Sequence, residues 1–205
     1  MQRTLPLGCA MLVVSLICFL GAYGIHVANE TEQNQAGDST AQVLYYLDSA
    51  VALPEVNESE GLWSLPDAEE YTTSAVAIDD TNYIGTLNIP ALELTLPIAS
   101  EWSLSQARRT PCRWTGSLNE SNLILAGHNY RTHFGHLTDL EPGDLVSFTD
   151  CNGEEFWYEV AETTVIAGAD IAGMLEGDDN WDLTLFTCTY GGANRVTVRC
   201  VYAEG

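Results

Sequence analysis

Residues 182–201 read DLTLFTCTYGGANRVTVRCV, and both the fold and the chemistry turn on this stretch. Leu183, Leu185 and Thr187 alternate with Thr184, Phe186 and Cys188, the period of a strand buried on at least one face, with Cys188 at its C-terminal end. Gly191-Gly192 marks a tight turn. In the strand beyond it, Arg195, Thr197 and Arg199 share one face while Val196, Val198 and Cys200 share the other. Two valines describe a core side, so the arginines are expected to point away from the core. In such a hairpin Arg195 lies across from or near the Cys188 thiol. A strand end holds a nucleophile rigid while letting it face a groove. A guanidinium offers several donors of fixed geometry and never loses its charge, which suits it to an oxyanion. The bland alternatives are a small buried hydrophobe for Cys188 and surface arginines in an otherwise acidic protein.

The same texture extends backwards to Thr81. Short runs rich in Val, Ile, Leu, Thr and aromatic residues are punctuated by Gly, Pro, Asn and Asp, and they predict strands over 83–89, 92–97, 122–126, 145–149, 155–161, 182–187 and 195–203. Turn signals fall at 142–144, 150–153 and 191–192, with short helical pieces at 104–109 and 171–175. Seven or eight closely spaced strands with little helix predict a mainly β domain, a small mixed or antiparallel barrel.

His128 ends the run LILAGHN (123–129), leaving an apolar strand through a glycine. Packing does not call for a histidine there. A strand-exit imidazole can reach the same groove as a strand-end thiol, and the two together make a nucleophile and a proton shuttle. His133 and His136 come next, but H-x4-H-x2-H matches no standard zinc spacing, so they read as loop residues around Phe134 and Leu137 and no metal is expected.

The N-terminus carries a different signal. Residues 5–24, LPLGCAMLVVSLICFLGAYG, are uncharged and long enough to span a bilayer as a helix. Arg3 precedes the run and Glu30 and Glu32 come after it, which puts the N-terminus in the cytoplasm and the remainder outside. The length favours an uncleaved anchor over cleavage at Ala22-Tyr23-Gly24. Cys9 is no lipoprotein site, because so few residues precede it and Pro6 stands where an aliphatic residue belongs. Three segments are expected: an anchor over 1–24, an acidic stalk over 25–80 and a catalytic domain over 81–205. Within the stalk, Val43, Leu44, Leu47 and Val51 recur at helical spacing after a candidate cap at Ser39 or Thr40, and Pro54 and Pro66 break the remainder of the stalk.

The charge excludes whole classes of function. The chain has 29 acidic residues against 7 basic ones, a formal net charge of -22, and every basic residue is arginine. A nucleic-acid binder needs a basic face to displace counterions, and anionic lipid needs the same. Of the six cysteines, Cys9 and Cys18 lie in the apolar run. Cys112, Cys151, Cys188 and Cys200 are exported, and a free Cys188 leaves room for at most one disulfide among them.

Several ordered blocks together resemble the sortase family. They are YIGTLNIP (83–90), LPI (96–98), LILAGHN with Phe134, Leu137, Leu140 and PGDLV (142–146) downstream, then LTLFTC and RVTV beyond the turn. The resemblance covers residues 83–203. It implies a closed barrel of seven to eight strands behind an N-terminal transmembrane helix, and a cysteine transpeptidase with Cys188 as nucleophile, His128 as acid/base and Arg195 at the oxyanion. It further implies a sorting-signal peptide of the LPxTG kind as substrate, a thioester intermediate, a cell-wall amine as acceptor and no cofactor; nothing in the sequence supports calcium dependence. The loop between Cys188 and Arg195 is shorter than in most sortases, which leaves Arg199 as the fallback. His128-Asn129 and the N-terminal helical segment lean towards the class B pattern. The sequence shows neither an Asp-Pro-aromatic motif ahead of the domain nor an apolar segment after Tyr202, which argues against a pilus-polymerising enzyme. A plain cysteine hydrolase and a non-catalytic surface-binding barrel are the alternatives.

Overall fold

The computed structural model describes residues 7–51, 74–175 and 181–203. Among the described residues nine strands form one sheet: β1 (Val76–Ile78), β2 (Thr81–Ile89), β3 (Leu94–Ala99), β4 (Cys112–Thr115), β5 (Leu123–Ala126), β6 (Leu145–Asp150), β7 (Glu155–Ala167), β8 (Leu183–Cys188) and β9 (Asn194–Tyr202). Their order is β1-β2-β3-β4-β5-β8-β9-β7-β6, and β6 pairs back onto β2. That last pairing closes eight strands into a barrel, with β1 added beyond it on the first residues of β2. Closure removes the free edges an open sheet would expose. The core runs through the barrel's interior, where Leu87, Ile98, Leu125, Phe148, Leu183, Leu185 and Val198 are fully buried.

Two strands lie outside the sequence expectation, and each has a local reason. β4 has only four residues with Arg113 in the middle, so it shows no alternation; Cys112 is held in register by Ala99 on one side and Ala126 on the other. β1 is three residues long and owes its strand character to pairing with β2. β7 runs to Ala167, beyond the expected end at 161, because a bulge between Val160 and Glu162 shifts the register and starts a second pairing segment with β9. Of the helical pieces, α2 (Leu104–Ala107) is capped by the Ser103 side chain, which accepts from the Gln106 N–H, and α3 is Ile171–Leu175.

In the N-terminal region the helix is longer than the expected one beginning at Ser39 or Thr40. α1 runs without interruption over Leu7–Val51, 45 residues and about 68 Å at 1.5 Å per residue. Thr40 is therefore no cap; it lies mid-helix, buried against the domain. Ala36, Thr40, Val43 and Leu47 form a stripe at spacings of four, three and four, and Val43 and Leu47 join Tyr83, Ala99 and Ala107 in a second apolar cluster. Residues 11–25 of the same helix present uncovered apolar side chains, among them Met11, Leu12, Ile17, Phe19 and Leu20. Among the described residues, α1 is the one helix long and apolar enough to cross a membrane. Pro54 and Pro66 lie outside the described residues.

Candidate active site

β5 and β8 are parallel neighbours, with Ala126 opposite Phe186, and the ladder continues past the end of β5 through the Gly127 N–H to the Phe186 carbonyl at 3.1 Å. Thr187 Oγ1 donates to the Gly127 carbonyl at 2.9 Å. These two bonds clamp the exit of β5 to the end of β8, so His128 and Cys188 emerge at the same end of the barrel. Gly127 is required there, because a Cβ would come within 2.5 Å of the Phe134 ring, which is fully buried behind it.

β8 and β9 pair in the register that sets Cys188 directly opposite Arg195. The hairpin between them turns through Gly191 and Gly192, at φ 89° and 76°, a left-handed conformation suited to glycine. Arg195 Nη1 donates to the carbonyls of Gly192 and Asn194, both at 3.0 Å. One nitrogen is thus spent on holding the guanidinium over its own hairpin, leaving Nη2 and Nε as donors. Cys188 is exposed, whereas Cys112 and Cys200 are buried with their thiols pushed up to about 12 by loss of solvation. Cys18, Cys112, Cys151, Cys188 and Cys200 are all free thiols.

Cys188, Arg195 and His128 line one groove of about 410 Å³. Its other walls are apolar, with Trp102, Leu104, Trp114 and Ile171 around the polar trio. Trp114 is braced edge-on against Phe186 at 5.4 Å. His128 is half-buried, and burial pulls its pKa below the ordinary histidine value. The Asn129 amide opposes that pull, Arg108 adds to it, and Glu32 opposes it.

Arg199 is not interchangeable with Arg195. The arginine-bearing face of β9 is covered, not open: Thr197 and Arg199 are buried beneath α3. Arg199 donates to Thr184 Oγ1 at 2.9 Å and to the carbonyls of Met174 and Gly173 at 3.3 and 2.6 Å. Its donors are directed at the barrel wall and α3, and it does not line the groove.

Neither of the two histidines that follow His128 lines the groove. His136 faces outward beside Asp139 at 3.0 Å. His133, expected as a loop residue, is fully buried, and neither ring nitrogen has a hydrogen-bond partner. Its pKa falls to about 4, chiefly from burial and then from the charge of His128; the nearby Arg109 backbone pulls slightly the other way without making a hydrogen bond. Sequence reading also passed over Tyr130, whose ring stacks on His128 at 4.1 Å between centroids and 23° between planes. A tyrosine two residues beyond a strand-exit histidine carries no periodic signal; the tight 128–135 loop folds it back.

The sortase-domain family model matches residues 87–203, more than half of the chain. The chain belongs to the sortase family. Sortases are cysteine transpeptidases that work without a cofactor. The barrel is similar to solved structures of the family. A sortase D5 transpeptidase of Clostridium perfringens is 23% identical over 60% of this chain and 79% of its own, with a TM-score of 0.53. A sortase C of Streptococcus pneumoniae is 16% identical over 80% of this chain and 97% of its own, at 0.59. Sortase A of Corynebacterium diphtheriae is 18% identical over 90% and 96%, at 0.55. At these identities the likeness is one of fold, and it spans classes D, C and A. No curated protein sequence matches the chain.

Proposed function

We propose that this sortase is a membrane-anchored enzyme that cuts a C-terminal sorting motif of the LPxTG kind and transfers the acyl part to a cell-wall amine, with Cys188, His128 and Arg195 as its catalytic residues. The observation that carries the assignment is the groove in which an exposed strand-end thiol, its cross-strand guanidinium and a half-buried imidazole meet. The Cys188 thiolate attacks the scissile carbonyl, and the tetrahedral oxyanion is met by the free donors of Arg195. Protonated His128 gives its proton to the leaving amine, and a thioester remains. Neutral His128 then takes a proton from the incoming amine as it attacks the thioester, which restores the thiolate and the imidazolium. The apolar wall from Trp102 to Ile171 favours the hydrophobic part of a sorting motif.

In this reading residues 1–24 anchor the chain with its N-terminus in the cytoplasm, residues 25–80 connect, and residues 81–205 carry the chemistry outside the cell. Arg3 ahead of the apolar run and the acidic residues behind it support that orientation. The deciding experiment is mass spectrometry of sorting peptides incubated with the enzyme, with and without an added amine. Amine-dependent transfer product is expected; cleavage that ignores the amine would make the enzyme a hydrolase, and no cleavage of any sorting peptide would remove the reading.

A further inference from the structure

An imidazole that moves protons is ordinarily held in plane by a hydrogen-bond partner on one ring nitrogen. His128 Nδ1 is buried and has no such partner. What faces the ring is Tyr130, stacked on it at 4.1 Å. Tyr130 in turn is fixed from outside the barrel, because its hydroxyl donates to Glu32 Oε2 of α1 at 2.9 Å. The adjacent Gln33 takes up the same loop: its Oε1 accepts from the Arg131 N–H at 3.3 Å and its carbonyl from Thr132 Oγ1 at 3.4 Å. Glu32 is eight residues beyond the end of the apolar run at Gly24 in an unbroken helix, so a rigid strut of about 12 Å links the membrane-crossing segment to this loop.

We propose that Glu32 of the anchor helix is a positioning residue for His128, acting through Tyr130, so that the membrane helix is part of the catalytic apparatus. The proposal rests on the reading of His128 as the acid/base. The chemistry of the link is consistent along its length. Burial and the Glu32 carboxylate both hold the Tyr130 phenol protonated, so the hydroxyl stays a donor. A tyrosine ring whose hydroxyl is bonded to a carboxylate presents an electron-rich face to an imidazolium, which favours the cationic form. Glu32 also favours that form directly, whereas Arg108 from the end of α2 disfavours it. The other charged or titratable groups around the ring are His133, from its own loop, and Cys188 and Arg195 across the groove. The link therefore keeps the ring's plane and raises its protonated fraction against the pull of burial.

The test uses the full chain in lipid nanodiscs, with ring-labelled histidine tracked by NMR against pH and kcat/KM for sorting-peptide cleavage measured over the same range. Glu32→Gln should lower the His128 titration midpoint by roughly half a unit and cut kcat/KM by about threefold, the loss growing towards alkaline pH, as expected for removal of one partly exposed charge. Tyr130→Phe should do the same while keeping the stack, and the double variant should add little, because both changes break one chain of contacts. Gln33→Ala weakens helix docking without touching the carboxylate and should leave the midpoint in place. An unmoved midpoint in Glu32→Gln, or an equal shift in Gln33→Ala, overturns the proposal. The NMR readout needs no turnover, so a midpoint that shifts in an enzyme that cleaves nothing would sink the transpeptidase reading and leave the positioning role standing.

Discussion

Arg199 Nη2 donates to the Gly173 carbonyl at 2.6 Å, tying β9 to α3. Four residues earlier on the same strand, Arg195 lies opposite Cys188. Two arginines on one strand face thus have different surroundings, and the tasks proposed for them separate by experiment. Arg195→Lys should cost about 10²- to 10³-fold in kcat with little change in stability, since an ammonium cannot reproduce the fork beside an oxyanion. Arg199→Lys should instead lower stability by about 2 kcal/mol in urea unfolding, because it leaves buried carbonyls and the Thr184 hydroxyl unpaired. The reverse ranking would move the oxyanion role to Arg199.

Cys188→Ala should abolish both cleavage and transfer and leave the melting temperature nearly unchanged, because the side chain is exposed and little packing is lost. In the native protein iodoacetamide should label Cys188 well ahead of Cys112 and Cys200, which are buried and hold their protons to about pH 12. Peptide mapping of the alkylated protein reads both. Activity surviving in Cys188→Ala would dismiss the assignment.

The proposed mechanism requires Cys188 without its proton and His128 with one, so rate against pH should be bell-shaped, with limbs that belong to the pair. Burial holds the His128 pKa below its ordinary value, so the imidazolium is the scarcer form at neutral pH and the productive state is a minority of the enzyme. His128→Ala should flatten the bell and nearly eliminate turnover. His136→Ala, at a side chain paired with Asp139 and outside the groove, should leave the shape unchanged.

His133 sets an acid limit on stability. Its pKa is about 4 in the folded protein against about 6.5 unfolded, so the unfolded chain binds the extra proton first. Stability is whole above about pH 6.5, declines as the pH falls, and has lost on the order of 3 kcal/mol from this one group by pH 4. Urea unfolding at pH 7 and pH 4.5 should show the decline in the native protein, and His133→Phe should remove most of the difference. An equal pH dependence in both proteins would place the acid sensitivity elsewhere.

The sequence by itself determined the longer barrel strands, the candidate site residues and the apolar helix, because each rests on local physics. Alternation along 183–188 and 194–202 reports burial on a pleated surface, and two glycines after a strand report a turn; the hairpin they imply brings Arg195 across from or near Cys188, and the structure sets the two directly opposite. Tertiary structure decided what depends on neighbours distant in sequence. Whether the arginine face of β9 was open or covered depended on α3, which closes over it from residues 171–175, and so the burial of Arg199 had no signature in its own strand. The four-residue β4 acquires its form from β3 and β5. His133 reads as polar and loop-borne, yet the turn that brings Phe134 against Gly127 draws it inside. The helix from the apolar segment to Val51 passes through polar residues from Glu30 to Gln35, and it persists because Ala36, Thr40, Val43 and Leu47 bury against the barrel. A contact between Glu32 and Tyr130, 98 positions apart, exists only once that helix has docked.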